Sequence, residues 1–123
     1  MLDNTVVYWC SDVAEGSDHG YKNMRSILIG SCGGFFKTGR YLDYIDWNGR
    51  AYFSQEDGNV IKGVPHNRFL VSVLQAMGLE PADYEIGGNP GYGSTSTAGK
   101  DASSWPTDYD LTQVGKVLPG IQG

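Results

Sequence analysis

The chain has few basic residues and no long apolar run. Lys and Arg number 9 against 14 Asp and Glu, so the 123 residues carry a formal net charge of −5. The basic residues are scattered singly, whereas nucleic-acid-binding proteins cluster them to hold the phosphate backbone. No stretch stays apolar for the roughly 20 residues that a membrane helix needs. We therefore expect neither a nucleic-acid partner nor a membrane span.

A positively charged leader is also missing, because the first four residues lead directly into a predicted strand. No signal peptide is visible, although a parent protein could carry one upstream. At 123 residues the chain is one domain at most, and it is short for a complete α/β enzyme. Its 18 glycines indicate that loops occupy an unusual share of its length. The chain is short enough to be a piece of a larger protein.

Cysteine is scarce, since Cys10 and Cys32 are the only two and each follows an apolar run. If these runs form neighbouring strands whose ends meet, the two thiols can form a disulfide, which requires an oxidising compartment. The alternative is two separate buried thiols. The separation of the two Cβ atoms decides between them, and the sequence does not give it.

Two apolar runs predict buried strands. Residues 5–9 are β-branched or aromatic throughout, and residues 25–30 form a second run that ends in a glycine-rich segment. Asn48-Gly49 is the pair that most readily takes the left-handed dihedrals of a two-residue turn, so we expect a hairpin over residues 43–54. These segments together predict a small sheet.

One helix is expected after Pro65, because apolar residues recur at helical spacing over residues 69–77. Asn67 is the expected N-cap, and Gly78 followed by Leu79 predicts a left-handed stop at the carboxyl end. We expect the apolar face of this helix to pack on the sheet.

The last third of the chain changes character. Residues 87–100 are small and polar and lack periodicity, which predicts an irregular arm. Residues 109–121 regain apolar side chains. We expect this end to dock back onto the body of the protein.

The loop after the first strand is crowded with carboxylates. Asp12 follows the strand closely, and Asp18 and His19 come six residues later. Carboxylate and neutral imidazole suit zinc, manganese and related ions, and ligands collect where the strands of an open α/β sheet end. These residues are a sensible half of a metal site, and His66 ahead of the helix is a candidate further ligand.

The residues alone leave other roles open for this set. Loops rich in Asp, Ser and Gly are commonly solvated turns in which carboxylates accept backbone hydrogen bonds. His66 equally suits a hydrogen-bonding loop residue or part of the helix cap. The metal that the set would hold is divalent: zinc, manganese or calcium.

Three other motifs lack the full pattern of the functional sequences that they suggest. Residues 46–49 lack the regular oxygen ligands and the closing Glu of a calcium loop. Ser31 lacks the glycine two residues before it that a nucleophile elbow requires. Gly99-Lys100 lacks the preceding glycine and strand of a phosphate loop. None of the three is counted as a site.

Seven motifs follow one another in a specific order. They are residues 2–9, 11–12, 18–19, 26–30, 33–40, 65–79 and 115–120. In this order the chain resembles the carboxyl-terminal part of a secreted bacterial family, the domain-of-unknown-function 1552 family, which is related to the alkaline phosphatase and sulfatase superfamily. The resemblance covers nearly the whole chain.

The resemblance implies an α/β fold. It is a partial α/β sandwich of the alkaline-phosphatase-like type, with a small sheet, one main helix and long glycine-rich loops. Residues 1–86 would be the carboxyl-terminal portion of that domain, and residues 87–123 a glycine/serine-rich arm with a docking segment. Asp12 would occupy the position of a metal-binding carboxylate, and His19, with Asp18 before it, would match the histidine of related members. The implied location is secreted or periplasmic.

The chain departs from this family in what it lacks. In active relatives, paired metals activate a nucleophile and stabilise the charge that develops on a phosphoryl or sulfuryl group. The nucleophile and the other metal ligands lie near the amino terminus of the full domain, a region that this chain does not contain. The resemblance therefore implies part of a metal-dependent hydrolase-like protein that is inactive alone and needs another half-domain.

Two further functions compete with this one. A non-catalytic assembly module would cover its open sheet edges by pairing with another chain or with a second copy. A carbohydrate-binding surface is suggested by eight tyrosines and three tryptophans. The carbohydrate hypothesis is the weaker one, because Tyr8 and Trp9 lie in a predicted buried strand.

Overall fold

Two short strands and one main helix form the described part of the protein. In the computed structural model, β1 spans Val7–Cys10, β2 spans Ser26–Ile29, α1 spans His66–Ala76, and α2 is a single turn at Pro81–Tyr84. The structure describes residues 1–14, 16, 24–44, 64, 66–92 and 113–123. This arrangement confirms a mixed α/β fold with a small sheet and one main helix.

The two strands pair antiparallel, and the register fixes which residues share a face. Val7 lies opposite Ile29 at one end of the pair, and Cys10 lies opposite Ser26 at the other. Because directly opposed residues point to the same side, the pair has two distinct faces. The inner face carries Tyr8, Cys10, Ser26 and Leu28, and the outer face carries Val7, Trp9, Ile27 and Ile29.

Helix α1 contacts the inner face through Phe69. The ring of Phe69 lies 4.7 Å from the ring of Tyr8, measured between centroids. Leu28 packs against the same core cluster, whose buried members are Phe36, Phe69, Leu118 and Ile121. The expected contact between helix and sheet is therefore present. The expectation of buried strands is wrong, because all four residues of β1 are exposed and only Leu28 of β2 is half-buried.

The sequence predicts the carboxyl end of α1 correctly but not its amino end. Gly78 has φ +83°, its N–H donates to Gln75 O, and the N–H of Leu79 donates to Leu74 O at 3.1 Å. This is the expected left-handed stop in its Schellman form. The N-cap prediction is wrong, because Asn67 lies inside the helix and its side-chain amide donates to Tyr92 O at 2.8 Å.

The carboxyl-terminal segment, residues 113–123, docks on the body as expected. Val114, Leu118 and Ile121 are buried, and Phe36 forms an isolated antiparallel bridge with Gln122. Arg68 of α1 donates to the carbonyls of Lys116 and Val117. This segment therefore supplies half of the buried core cluster.

The antiparallel register also separates the two cysteines. Cys10 ends β1 beside the start of β2, whereas the N–H of Cys32 donates to Thr5 O beyond the other end of the pair. Five residues of extended chain span about 17 Å, far beyond the reach of a disulfide. Both thiols are free, and Cys32 is half-buried while Cys10 is exposed. The disulfide would have needed parallel strands.

Several expectations lie outside the described residues. The Asn48-Gly49 turn and most of the hairpin over residues 43–54 belong to this group. Residues 93–100 of the predicted arm belong to it as well.

Candidate functional site

Asp12 lies just beyond the end of β1, in the connection to β2. It is exposed, and the hydroxyl of Ser11 donates to its Oδ1 at 3.4 Å. Residues 11–25 join the two strands at their Cys10–Ser26 end, so Asp12, Asp18 and His19 belong to one covalent connection. Asp18 and His19 themselves lie outside the described residues.

The two strands beside Asp12 are antiparallel, so their carboxyl ends do not meet at one edge of the sheet. The carboxyl end of β1 lies beside the amino end of β2. The carboxyl end of a second described strand therefore does not lie beside Asp12. The ligands of a metal site at Asp12 would come from the connection over residues 11–25 and from the segments that pack beside it.

His66 is the first residue of α1. Its ring lies 5.3 Å from the ring of Phe69, measured between centroids, and the imidazole is otherwise exposed. Partial desolvation lowers the pKa of His66 below the usual 6.5. The ring is therefore neutral at physiological pH, which is the form that binds metals.

The described residues contain no group of three or more His, Cys, Asp and Glu side chains arranged to hold a metal ion. Asp12 lies in the connection after β1, whereas His66 begins α1. Ser11 contacts Asp12, and Phe69 contacts His66.

The outer face of the sheet is the most unusual surface among the described residues. Exposed fractions are 46% for Val7, 67% for Trp9, 49% for Ile27 and 47% for Ile29. All four side chains are apolar and adjacent across the two strands. Single exposed apolar residues are ordinary, but a contiguous group marks an interaction surface.

The sequence contained a signal for this face that the strand prediction did not use. Both strands are apolar at nearly every position, so their sequences resemble strands buried on both sides. Within the described residues, α1 is the one helix longer than a single turn, and it contacts the inner face. Because the sequence predicts one helix to pack on the sheet, it also indicates that one face of the sheet lacks a predicted helix.

A small open cavity adjoins the outer face at the end remote from the acidic loop. It has a volume of about 310 Å³ and is lined by Leu2, Asp3, Leu28, Ile29, Gly30, Ser31 and Thr38. In the lining, the hydroxyl of Ser31 donates to Asp3 O and its N–H donates to Leu2 O. Ile29 of the outer face and Leu28 of the inner face both line the cavity, so it lies at the end of the strand pair and adjoins both faces.

Comparison with known proteins finds no match: no protein-family model, no curated protein and no solved structure is significantly similar to this chain. Among the helices of the described residues, none has the length and apolar character needed to cross a membrane.

Proposed function

We propose that this chain is an interaction module whose small sheet is completed by another polypeptide. One observation carries the proposal: the outer face presents Val7, Trp9, Ile27 and Ile29 together, all about half exposed or more. Covering an apolar face of a sheet is favourable, because the free energy falls in proportion to the apolar area removed from water.

The size of the face limits the interface that it can form alone. Four such side chains expose on the order of 400 Å², within the range of the largest apolar patch on a typical monomer, which is often functional. Stable complexes bury about 800 Å² on each partner. The outer face alone is about half of that area, so it supports a weak complex or forms part of a larger interface.

The strands lack two of the features that prevent pairing at sheet edges, although both are short, at four residues each. Neither Val7–Cys10 nor Ser26–Ile29 contains a charged residue or a proline. Natural sheets use such residues to block unwanted partners. Their absence favours a sheet that is meant to be covered and extended by a partner.

Tryptophan fluorescence and a hydrophobic dye test whether the outer face is exposed, as this function requires. In a Trp47→Phe, Trp105→Phe background, Trp9 should be quenched efficiently by acrylamide, because it is 67% exposed. Binding of anilinonaphthalenesulfonate should fall severalfold in Ile27→Asn. The matched control is Ile86→Asn, which changes an 82% exposed isoleucine elsewhere and should leave dye binding unchanged. A protected Trp9, or equal dye binding in both variants, contradicts the proposal.

A second candidate is a part of a metal-dependent hydrolase-like protein, inactive alone and secreted or periplasmic. The resemblance of the seven ordered motifs supports it. A specific observation favours it too: Asp12, Asp18 and His19 share one connection between β1 and β2, and Asp12 is exposed. In this case the polypeptide that completes the sheet would be another half-domain, and it would bring the missing nucleophile.

Titration with zinc and manganese tests the metal-binding part of this candidate. Saturable binding should be lost in both Asp12→Ala and His19→Ala. Asp3→Ala is the matched control, because Asp3 lies before β1, on the far side of the strand from the loop. Unchanged affinity in the Asp12 and His19 variants would remove both residues from the site, while leaving the interaction module intact.

A further inference from the structure

We infer that Arg40, Tyr44 and Arg68 form a binding site for a small oxyanion, which is a phosphate or a carboxylate group. Arg40 and Tyr44 lie in the chain after β2, and Arg68 lies near the start of α1. All three side chains are anchored near one turn of the carboxyl-terminal segment. The inference does not depend on the outer face of the sheet, so it goes beyond the proposed interaction module.

The carboxyl-terminal segment makes a tight turn over residues 118–121. The turn is closed by a 3.3 Å hydrogen bond from the N–H of its last residue to the carbonyl of its first. The hydroxyl of Tyr44 donates to Pro119 O within this turn at 2.9 Å. The guanidinium of Arg68 donates to the carbonyl just before the turn at 2.6 Å. Tyr44 and Arg68 are therefore held at neighbouring backbone positions.

Arg40 reaches the other end of the same turn. Its Nε and one terminal nitrogen donate to Lys37 O at 3.3 and 3.2 Å, and the N–H of Lys37 donates to Ile121 O at 3.0 Å. Burial raises the pKa of Tyr44, and the charges of Arg40 and Arg68 act against this rise. Because exposed charges are screened beyond about 10 Å, both guanidinium groups lie within reach of the tyrosine hydroxyl.

Both guanidinium groups are oriented and still have N–H groups to donate. A guanidinium carries five N–H donors, and each of these two uses a pair of them on backbone carbonyls. Within the described residues, three N–H groups on each side chain remain for a ligand. The planar fork of arginine matches the oxygens of phosphate and carboxylate, and a fork that is already fixed loses less entropy on binding.

The charge around the turn is positive although the whole chain is acidic. Four of the five basic residues that the structure describes belong to this region, namely the two arginines with the exposed Lys37 and Lys116, while the fifth, Arg25, precedes β2. Two acidic residues border the region. Asp43 adjoins the tyrosine in the chain, and Glu85 lies beside the carboxyl-terminal segment. An excess of positive charge attracts an anion to this site.

Nuclear magnetic resonance of the full-length, nitrogen-15-labelled chain provides the test. The probes are inorganic phosphate and succinate, each exchanged for sodium chloride at constant ionic strength. The Nε–H signals of Arg40 and Arg68 should shift and saturate, with a dissociation constant on the order of 1 mM for the better probe. The signal of Arg25 should not move. Tighter binding of phosphate identifies a phosphate group as the ligand, and tighter binding of succinate identifies a carboxylate.

Two variants with the same change in charge sharpen the result. Arg40→Gln should weaken binding of the better probe at least fivefold, because it removes one of the two forks. Arg25→Gln should change the affinity by less than twofold. Arg68 is left unchanged, since it also holds the carboxyl-terminal segment on α1.

Three results would overturn the inference. The first is the absence of saturable shifts with both probes. The second is a shift of the Arg25 signal as large as that of Arg40, which would indicate a general response to anions. The third is equal weakening in Arg40→Gln and Arg25→Gln, which would assign the attraction to total charge instead of to a site.

Discussion

Ser72 and Arg68 join helix α1 to the carboxyl-terminal segment. Ser72 is fully buried, its hydroxyl donates to Arg68 O at 2.7 Å, and it accepts the N–H of Leu118 at 2.8 Å. Arg68 donates to Lys116 O and Val117 O, so two side chains one turn apart satisfy three backbone groups of that segment. The sequence does not predict that Ser72 binds the carboxyl-terminal segment, because its partner Leu118 lies 46 residues away.

Replacing Ser72 with alanine should lower the free energy of unfolding by about 1–3 kcal/mol, because the buried N–H of Leu118 loses its acceptor. Urea denaturation followed by circular dichroism measures the change. Ser11→Ala is the matched control, since Ser11 is exposed and its hydroxyl donates to the exposed Asp12, and it should change stability by less than about 0.5 kcal/mol. Equal effects in the two variants would show that the Ser72 contact does not stabilise the segment.

The lowered pKa of His66 makes stability depend on pH. Because the folded pKa lies below the unfolded value of 6.5, the unfolded chain binds the proton more readily. Stability should therefore fall modestly as the pH drops through 6.5 toward the folded pKa. His66→Gln should remove this part of the pH dependence in thermal melts at pH 7.5 and 5.5. An unchanged slope would assign the dependence to other groups, for which His19→Gln is the comparison.

At the scale of elements, local patterns predicted more than long-range ones did. The strands, the helix and its glycine stop follow from short-range periodicity and backbone chemistry. The strand direction, the Asn67 contact and the open outer face depend on what packs beside each element. Periodicity predicts that a strand is apolar, but it does not predict how many other elements pack against the two faces of the sheet.

Alanine substitutions at Gly78 and Gly30 should lower the free energy of unfolding by different amounts. Gly78→Ala should cost about 1–2 kcal/mol, because φ is +83° and the space around a Cβ is empty. Gly30→Ala should cost more, since φ is +102° and its Cβ would overlap the Thr5 carbonyl oxygen. Gly16→Ala is the control, with open space and no positive φ. Chemical denaturation of the three variants tests the ranking, and a Gly16 variant as unstable as the others would refute it.

At the scale of the whole molecule, the core is assembled from segments far apart in sequence. Phe36, Phe69, Leu118 and Ile121 meet in one cluster. The sequence predicted that the carboxyl-terminal residues dock, because apolar residues return there. It did not predict the docking site, which is shared by α1 and the turn after β2. For the candidate site, the sequence indicated the acidic loop and missed the outer face.

Leu118→Ala should destabilise the protein by about 2–5 kcal/mol, because Leu118 is 8% exposed and its truncation leaves a cavity. This is a large share of the stability of a small domain. Ile86→Ala, at an 82% exposed isoleucine, should have almost no effect. Urea titration compares the two variants. Equal midpoints would mean that the carboxyl-terminal segment does not contribute to the core.

The bridge between Phe36 and Gln122 has a consequence for synthesis of the chain on the ribosome. The N–H of Lys37 donates to Ile121 O, and that of Gly123 donates to Phe35 O. These contacts join residues more than 80 positions apart, so the core cannot close until residues 121–123 have been made and have left the exit tunnel. Until then Phe36 and Phe69 lack Leu118 and Ile121, the two buried side chains with which they share the core cluster, and their apolar surface stays open to solvent on the unfinished chain.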